Sequence, residues 1–123
     1  DSLTYNNGST KKWGNIMHLQ GINNDSYCVN KITIHSHKKI RIQPSGDHNI
    51  HWLIVKGRCK ISSSEHENSY KYNDYIPILN NILSCVENNE DYDLEIIEIR
   101  NGKNINKNYI WDECNFINKK IEN

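Results

Sequence analysis

The 123-residue chain is long enough for one domain with one core and too short for two of ordinary size. Fifteen basic residues balance fifteen acidic ones and neither sign runs in a block, so nothing in the charge points to nucleic acid or to an anionic membrane surface. The apolar residues fall in short bursts between polar turns, far below the roughly 20 consecutive apolar residues of a membrane span.

Residues 1–11 are polar and rich in Asn, Gly and Ser, and read as a flexible arm. A single domain is expected over residues 12–116, with a frayed tail at 117–123. Trp13, in Lys12-Trp13-Gly14, reads as a packing anchor because a large aromatic buries much apolar surface. Tyr27 to His35 alternates through Val29, Ile32 and Ile34, and Lys39-Ile40-Arg41-Ile42 alternates with its basic residues outward. These two segments are expected to pair as antiparallel strands across a turn near Ser36-His37-Lys38.

The stretch from Gln43 to Gly57 opens as a polar, Gly/Pro-marked loop and becomes the apolar run Trp52-Leu53-Ile54-Val55, the pattern of a loop feeding a buried strand from His51 to Val55. Its end at Lys56-Gly57 predicts a hairpin with Arg58 to Ser62. Tyr70 and Tyr72 mark an edge-like strand, and Pro77 in Tyr75-Ile76-Pro77 argues for a strand end or edge. Ile82 to Val86 and Leu94 to Gly102 read as further strands, and residues 104–116, with Trp111 and Phe116, as a loop or short helix that packs back. About eight short strands with turn signals every eight to twelve residues, and no helical period, predict an all-β antiparallel barrel or jelly roll.

The residues themselves offer little chemistry. Cys28, Cys59, Cys85 and Cys114 contain no close-spaced pair for zinc or redox work; they read as buried thiols, with one or two disulfides as the rival in an exported protein. Asp47, His48 and His51 lie close in sequence, but alternation along a strand would turn His51 outward, so only a loop conformation would join them on a metal. His35 and His37 share a face without an obvious third ligand. Glu95 and Glu98, three apart on a strand, face opposite ways and read as solvated or hydrogen-bonded residues.

Several of these segments together resemble the cupins, and most closely the mannose-6-phosphate isomerase domain of bifunctional mannose-1-phosphate guanylyltransferases. That family writes its first motif as Gln-x-His, four residues, Glu-His-Trp, an apolar triplet and Gly; here Gln43, His51, Trp52 and Gly57 match. Trp13-Gly14, Tyr75-Ile76-Pro77 and Leu94-Glu95-Ile96-Ile97-Glu98 also parallel family segments, so the resemblance covers roughly residues 12–112. It implies a cupin-type jelly roll, or double-stranded β-helix. In the family a divalent metal such as zinc, held by the Gln, His and Glu of the first motif and a His of the second, orients a sugar phosphate.

Of those four ligands only Gln43 is kept. Ser45 stands for the first His, Ile50 for the Glu, and Ser84 for the second-motif His, with Asn80 or Asn81 as alternatives for that last place. No His follows His66, and the family's Val-Arg-Phe-Glu-Asp arginine has no counterpart in Tyr109-Ile110-Trp111-Asp112-Glu113. The expectation is a non-catalytic cupin without a metal cofactor, whose former metal site (Gln43, Ser45, Ile50, Trp52, Ser84) is a ligand pocket. Its role would be binding or scaffolding, as a homo-oligomer or with a protein partner. The alternative is a divergent mannose-6-phosphate isomerase-like enzyme or sugar-phosphate binder with a remodelled, metal-holding pocket.

Overall fold

The computed structural model describes residues 8–21 and 26–112; Glu113, Cys114, Phe116 and the tail at 117–123 lie outside that range. Among the described residues there is no helix, and hence none long and apolar enough to cross a membrane. Eleven strands follow in order: β1 (Gly8–Lys11), β2 (Gly14–Gln20), β3 (Tyr27–Ile34), β4 (Lys39–Ile42), β5 (His48–Lys56), β6 (Arg58–Ser62), β7 (Glu67–Lys71), β8 (Tyr75–Ile78), β9 (Ser84–Glu87), β10 (Leu94–Gly102) and β11 (Ile110–Trp111).

The strands form a six-stranded sheet in the order β1-β2-β3-β10-β5-β8 and a five-stranded sheet in the order β11-β4-β9-β6-β7, paired antiparallel throughout. Period-two patterning builds both. On β3 Cys28, Asn30, Ile32 and Ile34 turn inward, and on β5 His48, Ile50, Trp52 and Ile54 do the same. The two inner faces meet in one core containing Trp13, Ile32, Ile34, Ile40, Ile54, Val86, Leu94 and Ile96. This is the expected all-β antiparallel jelly roll.

Three local expectations are corrected. Residues 8–11, assigned to a flexible arm, form β1 and pair with β2, so the hairpin partner decides what composition could not. β3 and β4 are not a hairpin: β3 lies between β2 and β10 in one sheet, while β4 lies between β11 and β9 in the other. The same holds for β5 and β6, which the Gly57 turn sends into opposite sheets. Both turns are sheet-to-sheet crossings, because each strand's apolar face must be covered by the opposite layer as well as paired at its edges.

The N-terminal Trp13-Gly14 pair has a packing reason. The Trp13 carbonyl accepts from His35 N at 2.8 Å, and Gly14 lies opposite Ile34 so closely that a Cβ there would sit 1.8 Å from the Thr33 carbonyl oxygen. Glycine is required by that contact. At the other end, β11 pairs Ile110 with Ile42 and Trp111 with Arg41, so the segment after residue 104 packs back as expected, but by adding a strand.

Candidate functional site

The loop after β4 and the start of β9 set the former metal positions. Gln43 is anchored by its backbone N–H, which donates to the Tyr109 carbonyl at 2.9 Å, and its side chain is exposed. Ser45 is exposed on the loop leading to β5. Ile50 is buried on β5, opposite Ile78 on β8 and Arg100 on β10. Ser84 is buried opposite Ile42. Asn81 also approaches, its N–H donating to the Pro44 carbonyl at 2.8 Å.

Gln43, Asn81 and Ser84 share one cavity of about 770 Å³, between β4, the β6–β7 hairpin, β8 and the start of β9. Ser45, Ile50 and Trp52 are not among its lining residues, so of the five expected pocket residues the structure brings two together. Ser63, Ser64 and Asn68 add neutral hydrogen-bonding groups that sequence reasoning did not single out; they come from a hairpin far along the chain. Ile42, Ile61, Ile76 and Ile78 supply hydrocarbon, Glu65 and His66 the ionisable groups, and no Lys or Arg lines it.

Trp52 lies in the core, two residues beyond Ile50 on the same inward face of β5, and is part of a buried polar network centred on Glu98, itself 1% exposed. The Trp52 indole donates to Glu98 Oε2 at 3.2 Å and to the Tyr109 hydroxyl at 3.0 Å. Asn30 Nδ2 donates to Glu98 Oε1 at 2.8 Å, and the Tyr109 hydroxyl donates to Glu98 Oε2. The exposed His18 joins through Nδ1, 2.7 Å from Asn30 Oδ1. Burial, then the Glu98 charge, push the Tyr109 hydroxyl well above its ordinary value of 10.0, so it stays a donor.

Glu95, by contrast, faces outward and pairs with Lys31 at 3.2 Å and Lys56 at 3.9 Å, as opposite parity requires. Of the two readings open for Glu98, the hydrogen-bonded one holds and the solvated one does not. Its place on the inward row of Leu94 and Ile96 was the available signal.

His48 is likewise buried, at the start of β5, where the sequence suggested a solvated loop. Burial, then the nearby Arg100 guanidinium, lower its pKa and hold it neutral, and neither ring nitrogen has a hydrogen-bond partner. Arg100 Nη1 lies 4.0 Å from Glu98 Oε1, and its Nη2 donates to the Lys107 carbonyl.

These donors do not fit a divalent metal. The family positions present an amide, two hydroxyls and a hydrocarbon, and among the described residues no three His, Cys, Asp or Glu side chains converge. Asp47, His48 and His51 are not brought together: Asp47 accepts from Asn104 at 3.0 Å, His48 turns inward, and His51 turns outward to Tyr75 at 2.6 Å. His35 and His37 each take a separate carboxylate, Asp93 at 3.2 Å and Asp91 at 2.7 Å. Cys28 and Cys59 are buried thiols, whereas Cys85 is disulfide-bonded, so the four do not share one state.

The cupin architecture recurs in solved structures of low sequence identity. The cupin domain of Schizosaccharomyces pombe Cnp3 matches with a TM-score of 0.65 at 9% identity, over 85% of this chain and 74% of that one. Ectoine synthase from P. lautus matches at 0.67 and 10% identity, over 77% of this chain and 68% of that one. Bacillus subtilis oxalate decarboxylase, a protein with Mn(II) centres, matches at 0.65 and 14% identity, over 87% of this chain and 30% of that one.

A putative mannose-1-phosphate guanylyltransferase of Vibrio cholerae is 33% identical over 85 residues, 68% of this chain. The alignment spans only 18% of that relative's length. The sequence profile described as "Mannose-6-phosphate isomerase C-terminal" matches residues 2–112. With motif order, jelly-roll topology and near-complete coverage in agreement, the chain belongs to the mannose-6-phosphate isomerase C-terminal family of cupins.

Proposed function

We propose that this cupin domain is a binding module that does not catalyse sugar-phosphate isomerisation. The observation that carries the reading is Ile50: where the family pattern has an acidic metal ligand, a buried hydrocarbon stands, 2% exposed, and hydrocarbon disfavours an ion. The barrel's own buried carboxylate, Glu98, is already occupied by Asn30, Trp52 and Tyr109. The cavity beside Gln43 and Ser84 offers neutral hydroxyl and amide groups against an aliphatic wall, which suits an uncharged hydroxylated ligand better than a phosphate.

Two measurements test this together: elemental analysis of protein purified without chelators or a metal-affinity tag, and an isomerase assay with mannose 6-phosphate. The expected result is substoichiometric divalent metal, no turnover, and a thermal shift with neutral hexoses at least as large as with their phosphates. One equivalent of bound metal together with turnover would overturn the reading. The rival reading, a divergent isomerase or sugar-phosphate binder, is favoured by the family's own activity but finds no Lys or Arg in the cavity lining to hold a phosphate, only the ionisable His66.

A further inference from the structure

The cavity beside Gln43 and Ser84 has unlike walls. The five-stranded sheet supplies the polar one: Ser84 stands opposite Ile42 and Asn68 opposite Ile61 on its inner face, and Gln43 and Ser64 follow from the adjoining loop and hairpin. Edge strand β8 and the segment after it supply the other. Ile76 and Ile78 share one face of β8, and Leu79, Ile82 and Leu83 continue the hydrocarbon, with Asn81 as the polar exception on that side.

Neither wall is used up by the fold itself. Among the described residues the side chains of Gln43, Ser64, Asn68 and Ser84 make no hydrogen bond, although Ser84 is only 8% exposed. A buried hydroxyl without a partner is uncommon in a folded interior, and this one lines the cavity. On the other wall Leu79 is 64% exposed and Ile82 42%, so hydrocarbon stands open to water at the rim. The volume, about 770 Å³, is the size that encloses a drug-sized molecule and is more than a single hexose needs. A bare sugar would leave the aliphatic wall wet, and a bare hydrocarbon would strand the Ser84 hydroxyl; a molecule with one end of each kind satisfies both.

We propose that the cavity takes a neutral sugar carrying an apolar aglycone, with the sugar hydroxyls on Ser84, Asn68 and Gln43 and the aglycone along Ile76, Ile78, Leu79 and Ile82. This rests on the binding-module reading and deepens it by naming the ligand class. The sugar end exchanges hydrogen bonds with groups that have no other partner, which sets orientation. The apolar end supplies most of the affinity, because each methylene moved from water onto the aliphatic wall tightens binding about fourfold.

The test is titration calorimetry of the 123-residue chain with methyl and octyl glycosides, in the gluco and manno series, below the concentration at which the octyl compounds form micelles, and with 1-octanol. With about half of the added chain buried, an octyl glycoside is expected to bind roughly 100-fold tighter than its methyl counterpart, and tighter than 1-octanol. Leu79→Ser and Ile82→Ser, at exposed positions that the core does not need, should each shrink the octyl-to-methyl ratio about threefold. Ser84→Ala should weaken the octyl glycoside about fivefold and leave 1-octanol unaffected. Octyl glycosides that bind no tighter than methyl ones, that 1-octanol matches, or that the variants leave unchanged overturn the inference while the neutral-sugar reading stands; absence of binding by every glycoside overturns both.

Discussion

Trp52 and Glu98 stand opposite one another on β5 and β10, and the indole N–H of the first donates to the carboxylate of the second at 3.2 Å inside the barrel. Asn30 from β3 and Tyr109 from the segment before β11 donate to the same carboxylate, so one acidic group ties three strands of one sheet to the chain's return. A buried charge is tolerable only when its lone pairs are taken, and here hydrogen-bond donors take them.

Glu98→Ala is expected to destabilise the fold by about 3 kcal/mol, because it takes the shared carboxylate acceptor from the buried Asn30 and Tyr109 donors and leaves Trp52 only the Tyr109 hydroxyl. Tyr109→Phe removes one of those donors and should cost about 1 kcal/mol. Urea denaturation of both variants checks the order; equal stability of Glu98→Ala and wild type would remove the network from any structural role.

Stability should fall at alkaline pH through two groups. Burial, then the Asp74 charge, raise the Cys59 thiol from 9.0 to about 12, and burial and Glu98 raise Tyr109 above 10.0. A folded pKa above the unfolded one means that the native state holds the proton more tightly. That contribution is complete below about pH 9 and is lost as pH climbs toward about 12. Denaturation midpoints across this window should decline, and Cys59→Ala should flatten the part that begins near pH 9. In the native protein Cys28 and Cys59 should resist a thiol reagent at mildly alkaline pH and react on unfolding.

Ile50→Glu restores the family's acidic residue without its companions. It should destabilise by about 3 kcal/mol, as a buried carboxylate whose one cationic neighbour, Arg100, already lies beside Glu98, and added zinc or manganese should not recover the loss. Calorimetric scans with and without metal decide it: a metal-dependent rise in midpoint in the variant would mean that Gln43 and Ser84 converge on an ion after all.

Gly14→Ala places a methyl against the Thr33 carbonyl oxygen at 1.8 Å, a contact the paired strands cannot open without losing the β2–β3 register. A loss of about 3 kcal/mol or more is expected, read from thermal unfolding. The Trp-Gly pair of the family pattern is, on this account, a packing constraint on β2 and β3.

By itself the sequence determined the family and the position and facing of most strands between β3 and β10, but not β1, β2 or β11. β4, β6 and β10 run where their alternation places them and Glu95 and Glu98 part to opposite faces, while the losses at Ser45 and Ile50 are legible only against the family motif that the chain resembles. Strand position and facing are period-two properties, fixed within a few residues of chain. Only the tertiary structure decided which sheet each strand joins, that His48 is buried, and that Ser63 and Asn68 reach the cavity beside Gln43. It alone brought Asn30, Trp52 and Tyr109 to Glu98, across separations of up to 68 residues. A turn signal reports that the chain reverses, not whether the next strand pairs back or crosses over; closure of the two layers settles that, and with it which side chains meet.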